Sequence, residues 1–408
     1  MEKLSVAARL TLSLFTFSML ASCTNGSGEE IFSESVVEET SIQIWTNLET
    51  EIEILNEYGK KWEEETGNKV EILDVATDIQ KFAQASKSKN GPDGIFGMPN
   101  DQLASYIEAN LVEEVPETVF LNDDYVDSAV QAVYFDGKRY AVPIAVETNV
   151  LFYNTEKVNE PPQTFEELID IAEKNGGFQF EATSIYYDLG FLKAYGGYIF
   201  NYDNGEYDVN DIGLGNNGAV QAYEYINKLA NEYDFFSTDI TSDIARGNFQ
   251  NGQTAFYIGG PWDIAGFEST GTPFDVAPMP TLNNENFITP VGTQIGFVSV
   301  ESPNREVVWD FYTYLLQNMS VDLYNVGGRI PAQLKAQENI EKNIYTEAFL
   351  EQIYVGEPLP TVSELGQVWI PFSDNIKLMI QGKTSPEETA KLIEEQVSEG
   401  IKMMNEGR

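Results

Sequence analysis

The order of the first structured segments restricts the possible folds more than any other feature of this sequence. Residues 41–46 (SIQIWT) and 70–75 are rich in β-forming residues, and residues 51–66 between them are predicted to be a helix that ends at Gly67. The apolar residues at helical spacing in this segment are Leu55, Tyr58 and Trp62. A strand, a helix and a strand in this order form the unit of a parallel sheet with helices on its faces, so the sequence predicts an α/β protein.

Later segments add helices but no cofactor or metal motif. Capping boxes at residues 164–167 and 385–388 predict the starts of two helices. Residues 213–218 (GLGNNG) match the pattern G-x-G-x-x-G, but no β-rich run precedes them, so we interpret them as a turn. Residues 208–219 begin like a calcium loop and lack its glutamate. We therefore predict neither a cofactor nor a metal ion.

The first residues are typical of an export signal. Two basic residues precede an apolar run, residues 10–20, that is too short to span a bilayer. The only cysteine, Cys23, follows this run and resembles the lipid-modified cysteine of bacterial lipoproteins. We therefore predict a signal peptide over residues 1–22 and a flexible acidic tether over residues 23–40, which begins with the lipidated cysteine. The protein is expected at the cell surface, on the extracellular side of the cytoplasmic membrane.

The charge balance limits the possible partners. The chain has 65 acidic and 24 basic residues and no histidine. This excess of negative charge opposes nucleic acid and anionic lipid, and it disfavours an anionic solute. The missing histidine removes the usual proton shuttle, the Ser/His and Cys/His nucleophile pairs and the commonest transition-metal ligand. The composition therefore disfavours anionic partners and the common catalytic and metal sites that depend on histidine.

Blocks of sequence beyond the tether resemble a known family. About 370 residues remain there, more than a single core usually organises, so two lobes are expected. The blocks are similar to those of the maltose/maltodextrin-binding proteins, which are extracellular solute-binding proteins of ABC importers. In chain order they are IWTN from Ile44, GKKWEEETGNKV from Gly59, GPDGIF from Gly91, YAVPIAVE from Tyr140, LFYN from Leu151, PPQTFEEL from Pro161, GGYIFNYDNGEYD from Gly196, FQNGQTAFYIGGPW from Phe249, PVGTQIGF from Pro290, GRIPA from Gly328 and VWIPF from Val368.

This resemblance implies both a fold and a function. The fold is a type II two-lobe α/β clamp like that of the periplasmic binding proteins, with the ligand in the cleft and several chain crossings at the hinge. Lobe 1 is predicted to span residues 41–146 and 294–338, and lobe 2 residues 147–293 and 339–408. The function is the capture of maltose or maltodextrin by a lipid-anchored monomer that delivers it, without turnover, to membrane permease subunits of an ABC importer. Closure around the ligand is the expected signal.

The resemblance also assigns residues to a sugar site. A neutral saccharide needs planar aromatic rings against its faces and carboxylates or amides at its hydroxyl edges. Trp262, Trp369 and Tyr186 fall on the stacking aromatics of the family, and the two glycines before Trp262 are expected to let the backbone turn. The hydroxyl ligands that it implies are Glu147, Glu49, Asn100 and Asp101. The tryptophans assigned instead to the core are Trp45, Trp62 and Trp309.

Several positions depart from the best-known enteric members of the family, and they leave the exact sugar open. Gly97 stands where those proteins carry a stacking tryptophan, and Thr50, Ser184 and Leu359 replace a lysine, a glutamate and a methionine. One alternative is the same clamp for another neutral glycan, such as a β-linked or branched oligosaccharide. A second is a secreted glycoside hydrolase, which also pairs aromatic rings with carboxylates. A third is an adhesive surface lipoprotein.

Overall fold

A computed structural model describes residues 39–75, 78–88, 90–203 and 206–406. The chain from Glu39 onward forms one compact unit. The predicted signal peptide, Cys23 and most of the predicted tether lie outside the described residues, so these expectations stay predictions. None of the helices in the described ranges combines the length and the apolar character that crossing a membrane requires.

Strands and helices alternate along most of the described chain. The strands are β1 (Ser41–Thr46), β2 (Lys69–Asp74), β3 (Gly94–Pro99), β4 (Tyr134–Phe135), β5 (Lys138–Arg139), β6 (Val142–Thr148), β7 (Val150–Asn154), β8 (Phe178–Gln179), β9 (Phe200–Asp203), β10 (Glu206–Ile212), β11 (Phe256–Gly259), β12 (Phe274–Ala277), β13 (Val291–Val298) and β14 (Ile330–Pro331). The helices are α1 (Ile52–Thr66), α2 (Ile79–Ala85), α3 (Leu103–Glu108), α4 (Asp127–Gln131), α5 (Phe165–Asn175), α6 (Ile185–Ala194), α7 (Asn217–Asn231), α8 (Ser242–Gln250), α9 (Ile264–Thr270), α10 (Arg305–Asn318), α11 (Ser320–Gly327), α12 (Leu334–Gln337), α13 (Thr346–Val355), α14 (Trp369–Ile380) and α15 (Pro386–Glu406). Short 3₁₀ turns lie at Asn100–Gln102, Asn122–Asp124, Pro261–Asp263 and Ser363–Gln367.

The larger of the two main sheets has the strand order β14-β6-β13-β3-β1-β2. Strand β1 pairs in parallel with β2 and with β3, as the strand, helix and strand order predicted. Strand β13 runs antiparallel to both of its neighbours, β3 and β6, so the sheet is mixed. Helix α1 ends at Gly67, whose φ of +78° lies in the left-handed region and whose N–H donates to the carbonyl of Glu63. The predicted first helix and its glycine cap are confirmed.

The smaller sheet has the order β12-β7-β11-β8, and its faces are packed with aromatic rings. Strand β7 is antiparallel to β11 and β12, whereas β11 is parallel to β8. The Phe152 ring of β7 lies 5.6 Å from Phe267 and 5.8 Å from Tyr257, measured between ring centroids. Such edge-on and tilted ring contacts stabilise a core beyond the burial of apolar area. The smaller sheet therefore has a dense aromatic core beside it.

The chain passes between the two sheets at neighbouring points. Strand β6 ends in the larger sheet at Thr148 and β7 begins in the smaller sheet at Val150, while β13 returns to the larger sheet at Val291. The hydroxyl of Thr148 lies 2.7 Å from that of Thr289 and donates to the carbonyl of Pro290 at 2.8 Å, so the two crossings are tied together. The predicted two-lobe α/β architecture is confirmed, and the predicted residue limits of the lobes stay predictions.

Other local expectations can be compared directly with the structure. The three tryptophans assigned to the core are buried, as predicted: Trp45, Trp62 and Trp309. Of residues 213–218, the first four form a turn, as predicted, and the last two begin α7, whose cap is the side chain of Asn216, which accepts the N–H of Ala219 at 2.8 Å. Strand β10 ends directly before this turn, so the expectation that no strand precedes it was wrong. The capping boxes at 164–167 and 385–388 lie at the starts of α5 and α15.

Candidate functional site

A cavity of about 590 Å³ lies at the carboxyl edge of the larger sheet. Residues from the ends of its strands line one side, while the 3₁₀ turn Pro261–Asp263 and helices α9 and α13 line the other. The lining residues from the larger sheet and the segment after β1 are Asn47, Pro99, Glu147, Gln294 and Ile330. Small-molecule sites of α/β proteins commonly lie beyond the carboxyl ends of strands and have volumes of about 300 to 1,000 Å³. This cavity is therefore the candidate ligand site.

Trp262 presents an aromatic surface to this cavity. It lies in the 3₁₀ turn that follows β11, lines the cavity and is 45% exposed, unlike the three core tryptophans. The indole lies directly against Gly260, where a Cβ atom would overlap the ring. Gly260 has a φ of −122°, which other residues adopt freely. The role that the structure shows for Gly260 is therefore to leave room for the indole; the expectation that the two glycines let the backbone turn stays a prediction.

Asp263 holds the turn that carries Trp262. One oxygen of this buried carboxylate forms an ion pair with Nε of Arg246 at 2.8 Å. The other accepts the hydroxyl of Tyr257 at 3.1 Å and the N–H of Gly260 at 3.2 Å. Burial raises the pKa of Asp263, and the nearby Arg246 guanidinium opposes that rise. Asp263 thus links the backbone just before Trp262 to the neighbouring strand and helix.

Glu147 lies across the cavity in a charged network. Its Oε2 atom is 3.2 Å from Nη1 of Arg329, and its Oε1 atom accepts the side-chain N–H of Gln294 at 3.3 Å. Nε of Arg329 in turn lies 2.6 Å from Oε1 of Glu51, a residue that is 1% exposed. Burial raises the pKa of Glu147, and the positive charge of Arg329 opposes the rise. The guanidinium of Arg329 therefore forms ion pairs with two carboxylates on this side of the cavity.

Tyr186 and Asp101 lie within electrostatic reach of Glu147. Burial raises the pKa of the Tyr186 hydroxyl well above its usual value, and the charges of Glu147 and Asp101 add to that rise. Asp101 is accessible to solvent, yet desolvation by the surrounding protein raises the pKa of its carboxyl. Of these residues assigned from the resemblance, Trp262 and Glu147 line the cavity, while Tyr186 and Asp101 lie outside its lining and interact electrostatically with Glu147.

The remaining three assigned residues also lie outside the lining of this cavity. Trp369 begins α14 and is half-buried against the core. Asn100 is buried, and its side-chain oxygen accepts the N–H of Thr293 at 2.9 Å, so it supports strand β13. Glu49 is exposed in the turn before α1, whereas Glu51, two residues later, lines the cavity. The sugar-binding roles assigned to these residues stay predictions.

Sequence reasoning missed the charged network and the polar residues beside it. Glu51, Arg329, Gln294 and Tyr345 line the cavity, and none of them was assigned to the site. A signal was available for one of them, because Arg329 is one of only six arginines in an acidic chain and lies in the block GRIPA. The pairing of Arg329 with Glu51 could not be predicted, since 278 positions separate them in the sequence.

Comparisons with known proteins find relatives over most of the chain. Residues 57–349 match the family described as bacterial extracellular solute-binding protein. The chain is 28% identical to the galactooligosaccharide-binding protein of Bacillus subtilis over 407 residues, which cover 95% of this chain and 96% of that protein. It is 29% identical to the maltodextrin-binding protein MdxE of Bacillus subtilis over 384 residues, which cover 87% and 88%.

Solved structures are similar over almost the whole described chain. The maltose-maltodextrin binding protein of Alicyclobacillus acidocaldarius aligns with a TM-score of 0.79 at 30% identity, covering 88% of this chain and all of that one. A cyclo/maltodextrin-binding protein complexed with maltotetraose aligns with a TM-score of 0.84 at 26% identity, covering 91% of this chain and all of that one.

Proposed function

The chain belongs to the bacterial extracellular solute-binding protein family, and we propose that it captures a neutral oligosaccharide of the maltodextrin type for an ABC importer. The observation that carries this proposal is that the exposed indole of Trp262 and the carboxylate of Glu147 line the same cavity. A sugar ring has C–H groups on its face and hydroxyls at its edge, so these two groups offer complementary surfaces. The chain's similarity to maltodextrin-binding relatives supports the choice of sugar.

Binding would couple to closure of the clamp. A ligand that touches both walls favours the closed arrangement by the difference between its affinities for the two states. One stacked ring and several charge-assisted hydrogen bonds, each about 1.5 to 3 kcal/mol, are sufficient for micromolar binding at about −8 kcal/mol after the costs of association. Consistent with membership of a solute-binding family, we propose capture without turnover, and delivery to permease subunits from a lipid anchor at Cys23 on the cell surface.

A galactooligosaccharide is the second candidate ligand, and two observations favour it. One is the similarity to the galactooligosaccharide-binding protein over 95% of this chain. The other is Gly97, which has a φ of +95° and packs so closely on Leu48 that a Cβ atom would overlap that side chain. No bulky side chain can replace Gly97 without rearrangement, so the stacking wall expected at this position of a maltodextrin site is missing here.

Calorimetry of the chain from Glu30 onward tests the proposal. The sugars are maltose, maltotriose, longer maltodextrins, a cyclodextrin and β-linked galactooligosaccharides, with an assay for new reducing ends in parallel. We expect saturable binding of the maltodextrins and no release of reducing ends. Tighter binding of the β-linked series would select the second candidate. Absence of binding to every neutral glycan, or hydrolysis of one, would contradict the proposed function.

A further inference from the structure

Arg329 occupies an unusual position between two carboxylates in the ligand cavity. Its Nε atom is 2.6 Å from Oε1 of Glu51, and its Nη1 atom is 3.2 Å from Oε2 of Glu147. The exposed fractions of the three side chains are 1% for Glu51, 22% for Glu147 and 24% for Arg329. Most ion pairs among the described residues are exposed and contribute little to stability. In a partly buried triad at a ligand site, by contrast, each charged group strongly affects whether its neighbours stay charged.

Two glycines before Arg329 determine where its side chain lies. Helix α11 ends at Gly327, and Gly328 follows with a φ of +68°, which turns the chain toward β14. A Cβ atom at Gly327 would overlap the carboxylate of Glu51, so glycine leaves room for that side chain beside the helix end. Three separate segments thus meet here: the turn after β1, the end of β6 and the turn before β14.

The charges that face Glu147 are mostly of the same sign. Glu51 and Asp101 are negative, and the hydroxyl of Tyr186 lies close enough to feel the charge of Glu147. The amide of Gln294 is neutral, and Glu268 lines the same cavity on the opposite side. Arg329 is therefore the cation on which Glu147 depends. Without it, two neighbouring carboxylates in a partly desolvated space would not both stay ionised.

We propose that Arg329 is a positioning residue for the ligand: it keeps Glu147 ionised and turned toward the cavity, so that this carboxylate can accept hydroxyl hydrogen bonds. The inference rests on the proposed function, because it assigns a role within the same site. It also explains how a chain with so large a negative charge keeps an ionised acceptor in a recess shared with another carboxylate. Glu51 has a matching role, since its buried charge holds the guanidinium in place.

The test compares ligand affinity across pH for the wild type, Arg329→Met and Arg329→Lys, using maltotriose or whichever glycan the wild type binds. In Arg329→Met, Glu147 loses its cation and retains its negative neighbours, so it takes up a proton at a higher pH than in the wild type. We expect affinity at pH 6 to fall by about tenfold or more, the value of one charge-assisted hydrogen bond, and to recover as pH rises. Arg329→Lys keeps the charge and should keep the wild-type pH midpoint.

Two further variants separate this role from a purely structural one. Glu51→Gln combined with Arg329→Met removes one repelling carboxylate, so the pH midpoint should move back toward the wild-type value. Arg305→Met is the control, because Arg305 pairs with Glu113 at 3.1 Å and neither residue lines the cavity, so this variant should bind as the wild type does. Wild-type affinity for Arg329→Met, or a loss of affinity with an unchanged pH midpoint, would overturn the proposal.

A measurement on the free protein, without ligand, tests the role of Arg329 independently of the proposed function. The carboxyl carbon of Glu147, assigned by its disappearance in Glu147→Gln, reports ionisation directly in a ¹³C NMR titration of the free protein. Its midpoint should lie higher in Arg329→Met than in the wild type, and equal midpoints would refute the inference. If the wild type bound no glycan while the midpoint still moved, the proposed function would fail and the role of Arg329 would stand. Should Arg329→Met not fold, Arg329→Gln removes the same charge with a polar side chain and provides the same titration.

Discussion

The two walls of the cavity hold their ligand-facing groups by different means. On the larger-sheet side, Glu147 and Glu51 share the guanidinium of Arg329, so charge fixes the geometry. On the opposite side, the indole of Trp262 lies against Gly260, and a buried Asp263 fixes the turn beneath it. Because of this difference, the contribution of the larger-sheet wall to ligand binding should depend mainly on pH and charge. The contribution of the Trp262 wall should depend mainly on shape.

The largest expected effect belongs to the side of the cavity that carries Trp262, which is its aromatic wall. Trp262→Ala removes the exposed ring face, and we expect affinity to fall by on the order of thirtyfold, or about 2 kcal/mol, because both stacking and apolar burial are lost. The free energy of unfolding should change by less than about 0.5 kcal/mol, since the side chain is 45% exposed. Calorimetry and urea unfolding measure the two quantities.

A matched control exists for this variant. Tyr202 in β9 is 46% exposed and lies outside the lining of the candidate cavity, so Tyr202→Ala removes a similarly exposed aromatic ring. We expect this variant to bind as the wild type does. Equal losses of affinity in the two variants would show that exposed aromatic rings act through the whole fold, and the comparison between the walls would no longer hold.

The next effect concerns the support beneath Trp262. Asp263→Asn replaces one oxygen with an amide that cannot both pair with Arg246 and accept from Tyr257 and Gly260. We expect a loss of about 1 to 3 kcal/mol of stability, the cost of an unsatisfied buried group, and about a fivefold loss of affinity as the turn loosens. Urea unfolding and calorimetry measure these losses.

Asp243 provides the control for this substitution, because it pairs with the same guanidinium at 3.2 Å while its side chain is 87% exposed. Exposed pairs contribute little, so Asp243→Asn should change neither stability nor affinity noticeably. If the two aspartates behaved alike, the buried contacts of Asp263 would not be what holds the aromatic wall. A near-ultraviolet circular dichroism difference confined to Asp263→Asn would locate the loosening at an aromatic side chain.

The sequence predicted the elements of this fold better than it predicted the site. Short-range signals, such as the helical spacing before Gly67 and the Asn216 cap, depend on a few neighbouring residues and are therefore readable. The pairing of Glu51 with Arg329 joins residues 278 positions apart, and only the completed larger sheet brings them together. The resemblance did identify Trp262 and Glu147 as site candidates. The resemblance could not reveal that the side-chain oxygen of Asn100 accepts the N–H of Thr293 in strand β13.

The last comparison, whose effect is on stability and not on ligand affinity, contrasts two buried carboxylates. Glu51 has a guanidinium partner, whereas Asp188 in α6 is fully buried and neither of its oxygens has a hydrogen-bond partner among the described residues. Burial raises the pKa of Asp188 well above its usual value, so the folded state retains a proton that the unfolded state releases above about pH 4. Stability from this group is therefore greatest at low pH and decreases as pH rises, by about 1.4 kcal/mol per pH unit until the folded pKa is reached.

Asp188→Asn should remove this pH dependence, because the amide resembles the neutral acid and cannot ionise. Near pH 4 the variant and the wild type should have similar stabilities, and the advantage of the variant should grow as pH rises until the folded pKa of Asp188 is reached. Asp170→Asn, at an exposed position in α5, should leave the wild-type pH profile unchanged. Urea unfolding at several pH values measures the difference, and parallel stability curves for Asp188→Asn and the wild type would show that the acid ionises freely in the fold. In that case a buried carboxylate would stay ionised without a cation such as Arg329 beside it, and the account of the larger-sheet wall would have to be abandoned.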